Sequence, residues 1–148
     1  MFEVEARVLG ADALARAFEA KALRSPAAAA VALEEAAQIV AAEAQRSVID
    51  GPKTGRVYTK YVPRRDHQAS APGEPPANDT GNLAANIIID RAEVGSGRIR
   101  ISSLAAYSKV LELGGRFMAP RPFLRRALMV SRRAVAQAFA LAYRRLAR

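Results

Sequence analysis

Between Gly51 and Asp79 the chain holds five prolines, three glycines and no hydrophobic period of either kind. That break dictates what forms on either side of it. Proline removes a backbone donor and fixes φ, so neither a continuous helix nor a central strand crosses such a stretch. The segment Ser70-Ala71-Pro72-Gly73-Glu74-Pro75-Pro76-Ala77 favours extended, polyproline-like backbone. Loops of this length are uncommon inside compact domains and are usually functional or disordered. The chain therefore reads as two structured parts joined by an extended loop over about 51–79.

The first part is mainly helical. Residues 2–9 alternate, with Phe2, Val4, Ala6 and Val8 on one side and Glu3, Glu5 and Arg7 on the other, which reads as a half-buried strand. Asp12 is placed to cap a short helix over about 13–24. Ser25-Pro26 then restarts the chain as N-cap and first helical residue, and a long helix is predicted from there to about Ile49. Its apolar stripe is Leu33, Ala36, Ala37, Val40, Ala44 and Val48.

After the loop, Asp79-Thr80 is expected to cap a short helical turn through Asn86. Residues 87–90 and 98–101 read as paired strands, with Gly95-Ser96-Gly97 supplying the positive-φ residues of the hairpin turn. A short helix over 104–113 is stopped by Gly114-Gly115. A last amphipathic helix is predicted from about Pro122 to near the end, with Leu124, Leu128, Val135, Phe139, Ala142 and Leu146 on one stripe. One domain over 1–148 accommodates all of this. The fold class expected is α+β: a small, mainly antiparallel sheet packed by a long helix.

Charge is unevenly placed. Up to Leu113, 14 basic and 14 acidic residues cancel; from Gly114 onward there are nine arginines and no acid. Arg125, Arg126, Arg132, Arg133 and Arg144 form a basic face on the last helix, opposite its apolar stripe. Three readings stay open for it. Basic stripes bind nucleic acid by releasing counterions. Arginine also pairs bidentately with carboxylates at protein interfaces. A solvated helix face is the third.

Several function classes are disfavoured. Cysteine is absent, which removes disulfides and thiol catalysis. His67 is the sole histidine and reads as a hydrogen-bonding loop residue rather than a catalytic base. One histidine without cysteine makes none of the usual zinc sites. Neither a phosphate-binding loop of the Walker type nor a Gly-x-Ser-x-Gly elbow is present. No enzymatic activity and no cofactor are expected. No run approaches the ~20 apolar residues of a membrane span. Acids at Glu3 and Glu5 stand where a secretory signal carries bases, so a soluble protein made in a cytoplasm is expected.

Two blocks carry a sharper signal. The first opens on Thr54-Gly55-Arg56-Val57-Tyr58 and continues through Ser70-Ala71-Pro72-Gly73-Glu74-Pro75-Pro76-Ala77 to Asp79-Thr80-Gly81-Asn82-Leu83. The second is Tyr107-Ser108-Lys109-Val110-Leu111-Glu112-Leu113-Gly114, then Pro120-Arg121-Pro122-Phe123-Leu124. In series they resemble the tail-component family of tailed bacteriophages typified by the tenth gene product of phage HK ninety-seven. The chain departs from the family at Leu113-Gly114-Gly115-Arg116-Phe117, where Phe-Gly-Thr followed by a basic residue is more usual.

The resemblance implies a structural virion protein at the head–tail junction, made in the bacterial host. It would form a ring, usually six-fold, around the DNA channel and contact other neck, head-completion and tail-tube proteins. A tail terminator capping the tube is the neighbouring alternative. From another class, a nucleic-acid-binding module would use the basic helix. Subunit or partner contacts are expected at Tyr58, Ser70, Pro72, Glu74, Pro75, Pro76, Glu112 and Arg121, with Glu112 expected to pair with an arginine such as Arg121. Phe123 and Leu124 are expected in the core.

Overall fold

A computed structural model describes residues 26–146. The strand expected over 2–9, the helix over 13–24 and the Ser25 cap lie outside the described residues. The elements in chain order are α1 (Pro26–Asp50), β1 (Val57–Tyr61), β2 (Arg64–Gln68), α2 (Asn82–Ala85) and β3 (Ile87–Asp90). After a 3-10 turn at Val94–Ser96 come β4 (Arg100–Ser103), α3 (Ser108–Leu113) and α4 (Leu124–Leu146). The fold is α+β, with the long helix α1 packed on the C-terminal helix α4 and two small antiparallel sheets beside them.

Helix α1 buries Ala28, Ala32, Ala36, Val40, Ala44 and Val48, a row in steps of four, with Ala37 and Ala41 beside it. Such a row is a natural ridge for packing into a neighbouring helix's groove. Alanine at most of its positions lets the partner backbone approach closely, and that partner is α4, which contributes Leu124, Ala127, Ser131, Ala138 and Ala142. Leu33, expected on the inward stripe, is only half-buried, because the close helix contact selects the smaller residues. The core continues through Leu83, Ala84, Ile87, Ala105 and Phe123, with Ile89, Ile101, Leu111, Leu128 and Val135 against its edge.

The β3–β4 pair has the register Ile87↔Ser103 to Asp90↔Arg100. Ile87 faces the core and Ile88 points outward, as the period of two requires. Its connection differs from expectation in one respect. Gly97 alone supplies a positive φ, of 79°, and closes a 3-10 turn in place of a tight hairpin loop.

A larger difference lies in the segment read as structureless. Residues 57–68 form the β1–β2 hairpin, Val57↔Gln68 to Tyr61↔Arg64, turned at Val62-Pro63 with a cis peptide bond. The expected single sheet is thus two separate two-stranded ones among the described residues. Neither face of β1–β2 is buried, so its residues show no apolar alternation to betray it. The surviving signal is the β-branched and aromatic content of Val57, Tyr58, Thr59 and Tyr61.

Candidate functional site

The two motif blocks, some fifty residues apart in sequence, meet in space. Gly73 N–H donates to the Pro120 carbonyl at 2.9 Å, and Arg121 Nε donates to the Ser70 carbonyl at 3.2 Å. Arg121 N–H also donates to the Leu111 carbonyl at 2.7 Å, which ties the Pro120–Arg121 strap to α3. Between the β1–β2 hairpin, the loop after it and α3 lies a cleft of about 500 Å³, lined in part by Tyr58, Lys60, His67, Asp79, Tyr107 and Arg121.

Two carboxylates organise this region. Glu74 accepts from Thr54 N–H at 3.0 Å, Thr54 Oγ1 at 2.6 Å and Ala71 N–H at 2.7 Å. It therefore pins both feet of the hairpin segment to the Pro-rich loop. Next to this clamp, the strands close so tightly that a Cβ on Gly55 would stand 2.6–2.7 Å from the Ser70 and Ala69 carbonyl oxygens. Only glycine fits there. The second carboxylate, Asp79, receives Lys60 Nζ and an Arg65 guanidinium nitrogen, with His67 Nδ1 3.6 Å away. Tyr58 meets the His67 ring edge-on at 5.3 Å.

These contacts shift both acids. The Thr54 hydroxyl, then the Thr54 and Ala71 N–H groups, hold the Glu74 carboxyl below the usual carboxylate range. Lys60 does the same for Asp79, with Arg65 adding to it. A depressed folded-state value means that the clamp's contribution is fully present above the unfolded pKa and is lost as pH falls through the folded one. The Thr54 and Ala71 amide proton shifts should therefore titrate together, at a pH below the ordinary glutamate midpoint. In Glu74→Gln that step should vanish. Nuclear magnetic resonance reads both, and a midpoint at the ordinary glutamate value would refute the clamp.

Three sequence expectations are corrected here. Asp79 does not cap the turn that follows: α2 has Gly81 as its N-cap, in the left-handed region with φ 77° and no side-chain cap bond. The charged partners from β1 and β2 take Asp79 instead. Glu112 does not pair with Arg121. Its Oε2 accepts from Phe123 N–H at 2.8 Å and Leu124 N–H at 3.0 Å, and its Oε1 from Arg125 N–H at 2.9 Å. It is a buried cap on the N-terminus of α4. His67 lies on β2, not in a loop.

The expected contact residues divide into two groups. Ser70, Pro75, Pro76 and Glu112 are buried within the subunit, and Glu74 and Arg121 are half-buried with their polar groups engaged. Tyr58 and Pro72 remain exposed. Phe123 and Leu124 are in the core as expected, Phe123 completely so. Arg125, Arg126, Arg132, Arg133 and Arg144 are all exposed on α4.

No family model, curated protein or solved structure matches this chain.

The sequence reading missed a set of uncovered apolar tips. Val62 is 95% exposed and Tyr61 77% at the β1–β2 turn, and Phe117 is 91% exposed in the α3–α4 connection, where Arg116 stacks on it. The connection is nonetheless held firmly. Gly115 and Met118 exchange backbone hydrogen bonds, and Gly114, with φ 82°, lies so close to Pro120 that a Cβ there would touch its ring at 3.0 Å. Among the described residues no group of three histidine or acidic side chains is placed to hold a metal ion, and no helix is long and apolar enough to cross a membrane.

Proposed function

We propose that this chain is a non-enzymatic structural subunit of a tailed-phage virion, one of a ring at the head–tail junction around the DNA channel. Two things support the reading. The ordered motif series from Thr54 to Leu124 resembles a tail-component family. The observation that carries the assembly part is the trio of uncovered apolar groups, Tyr61, Val62 and Phe117, displayed at turns that are themselves braced by hydrogen bonds. Large apolar side chains on stiff projections gain free energy when another surface covers them, about 25 cal/mol for each Å² removed from water. They cost little flexibility to order, since their backbones are already fixed.

The test separates folding from assembly. Val62→Asp combined with Phe117→Asp changes only exposed positions, so the melting curve should move by no more than about 0.5 kcal/mol equivalent. Particles carrying the double variant should show heads and tails unjoined in electron micrographs, with infectivity down at least tenfold. Mature particles that lack this chain altogether, or a double variant that assembles normally, would sink the proposal.

A further inference from the structure

We infer that the outer face of α4 binds the phosphate backbone of duplex DNA through Arg125, Arg132, Arg133 and Arg144. This extends the connector reading by naming what the basic face meets. It is tested on the purified chain, so it can fail while the connector reading stands.

The face is built by the helix period. Leu124, Ala127, Ser131, Ala138 and Ala142 turn inward against α1, which leaves the four arginines on the opposite side. None of their side chains makes an ion pair among the described residues. Two neighbours on the helix differ: Arg126 reaches the Gly73 carbonyl at 3.5 Å and Arg145 reaches Glu35 at 3.4 Å. Between these arginines stand Met129, itself 62% exposed, and the small Ala136 and Ala140.

Charge complementarity then selects the occupant. A second copy of this chain is like-charged, with a formal net charge of +9, and among its described residues offers only Asp50 and Asp66 as exposed carboxylates outside an ion pair. Glu34, Glu35, Glu43, Asp79 and Glu93 face arginine or lysine in their own subunit, and Glu74 and Glu112 are taken up chiefly by backbone N–H groups. Residues 1–25 carry four acids and four bases, so they add no net negative charge. Two carboxylates cannot balance the arginines of this face, so the greater part of the counter-charge comes from a different molecule. Duplex DNA carries one charge per ~1.7 Å of its axis. Arg125 to Arg144 spans roughly 28 Å at ~1.5 Å per residue, comparable with one DNA turn of ~34 Å. No acid follows Leu113, so nothing on this helix repels a phosphate. The planar guanidinium pairs with phosphate bidentately.

The experiment titrates the purified protein against a fluorescein-labelled 30-base-pair duplex of mixed sequence, between 50 and 200 mM salt. Four neutralised phosphates predict that log K falls against log salt with a slope of about −3.6, on the order of 100-fold over that range. The combination Arg125→Gln, Arg132→Gln, Arg133→Gln and Arg144→Gln should remove most of that slope. Lysine at the same four positions should keep it, and circular dichroism checks that both variants fold. Should the quadruple glutamine variant unfold, the paired variant Arg132→Gln with Arg133→Gln should still lower the slope by about 1.8. Absence of duplex binding at 50 mM salt, or an unchanged slope in the folded glutamine variants, overturns the inference. Equal affinity and slope for poly-glutamate of matched charge also overturns it, in favour of an acidic protein partner.

Discussion

Phe123→Ala should lower the stability of this protein by about 3–5 kcal/mol, the range typical of removing a buried phenylalanine. Phe123 is fully buried and is the largest side chain of which that is true among the described residues. It shares one cluster with Val40, Ala44 and Val48 of α1, Ile87 of β3 and Ala127 of α4, so its removal opens the centre where helices and sheet meet. The upper part of the range is expected for a specific reason. Cost rises with the cavity left behind, and the cavity shrinks only if neighbours move in. Here Ala41, Ala44, Ala84, Ala105 and Ala127 supply much of the surroundings, and alanine has no rotamer with which to fill space. For a chain of this size the melting temperature should fall by roughly 10–15 °C. The urea midpoint should drop with its slope unchanged. Phe123→Leu, which keeps most of the volume, should cost only about 1–1.5 kcal/mol. A loss below 1 kcal/mol for the alanine variant would remove Phe123 from the core.

That centre was only partly legible in the sequence, and the reasons differ by element. The long helix was readable from Pro26 at its start and Gly51-Pro52 at its end, both local signals. Its inward stripe was misjudged at Leu33 because the row of small residues that meets α4 carries little hydrophobic contrast. The β1–β2 hairpin was invisible to any periodicity argument, since Arg64-Arg65-Asp66-His67-Gln68 packs neither face on a core. The pairing of Ile87–Asp90 with its neighbour was legible because Ile87 and Ile89 alternate inward. Polar partners were the least legible. Asp79 resembles a local helix cap, yet its partners Lys60 and Arg65 come from 19 and 14 residues earlier. Spacing along the chain does not encode such contacts. The arginine face needs none: it follows from a 3.6-residue period and the absence of acids, and all five of its arginines are exposed.

Glu112 combines both lessons, since its motif was visible while its partner was not. A carboxylate 5% exposed is costly unless its oxygens are satisfied. Here Oε1 and Oε2 together accept the Phe123, Leu124 and Arg125 N–H groups, at 2.8–3.0 Å. Those donors belong to the first turn of α4, where the helix has no carbonyls to offer and the backbone dipole is positive. Replacing Glu112 by alanine leaves the donors at Phe123 and Leu124 in a dry interior with nothing to accept them. Bonds to a charged acceptor contribute about 1.5–3 kcal/mol each, and their losses overlap. Glu112→Ala should therefore cost about 3–4 kcal/mol, or roughly 10 °C in melting temperature. Glu112→Gln retains one acceptor oxygen but turns an amide donor toward the remaining N–H, and should cost about 2 kcal/mol. Hydrogen exchange should quicken first at residues 123–125, ahead of the rest of α4. Because Glu112 holds the backbone that places Phe123, the two alanine substitutions should not add. The double variant should fall short of the summed losses by at least 0.5 kcal/mol, the coupling expected of neighbours. Strict additivity, or a Glu112→Ala protein melting within 2 °C of the parent, would mean that α4 is positioned by its apolar stripe alone.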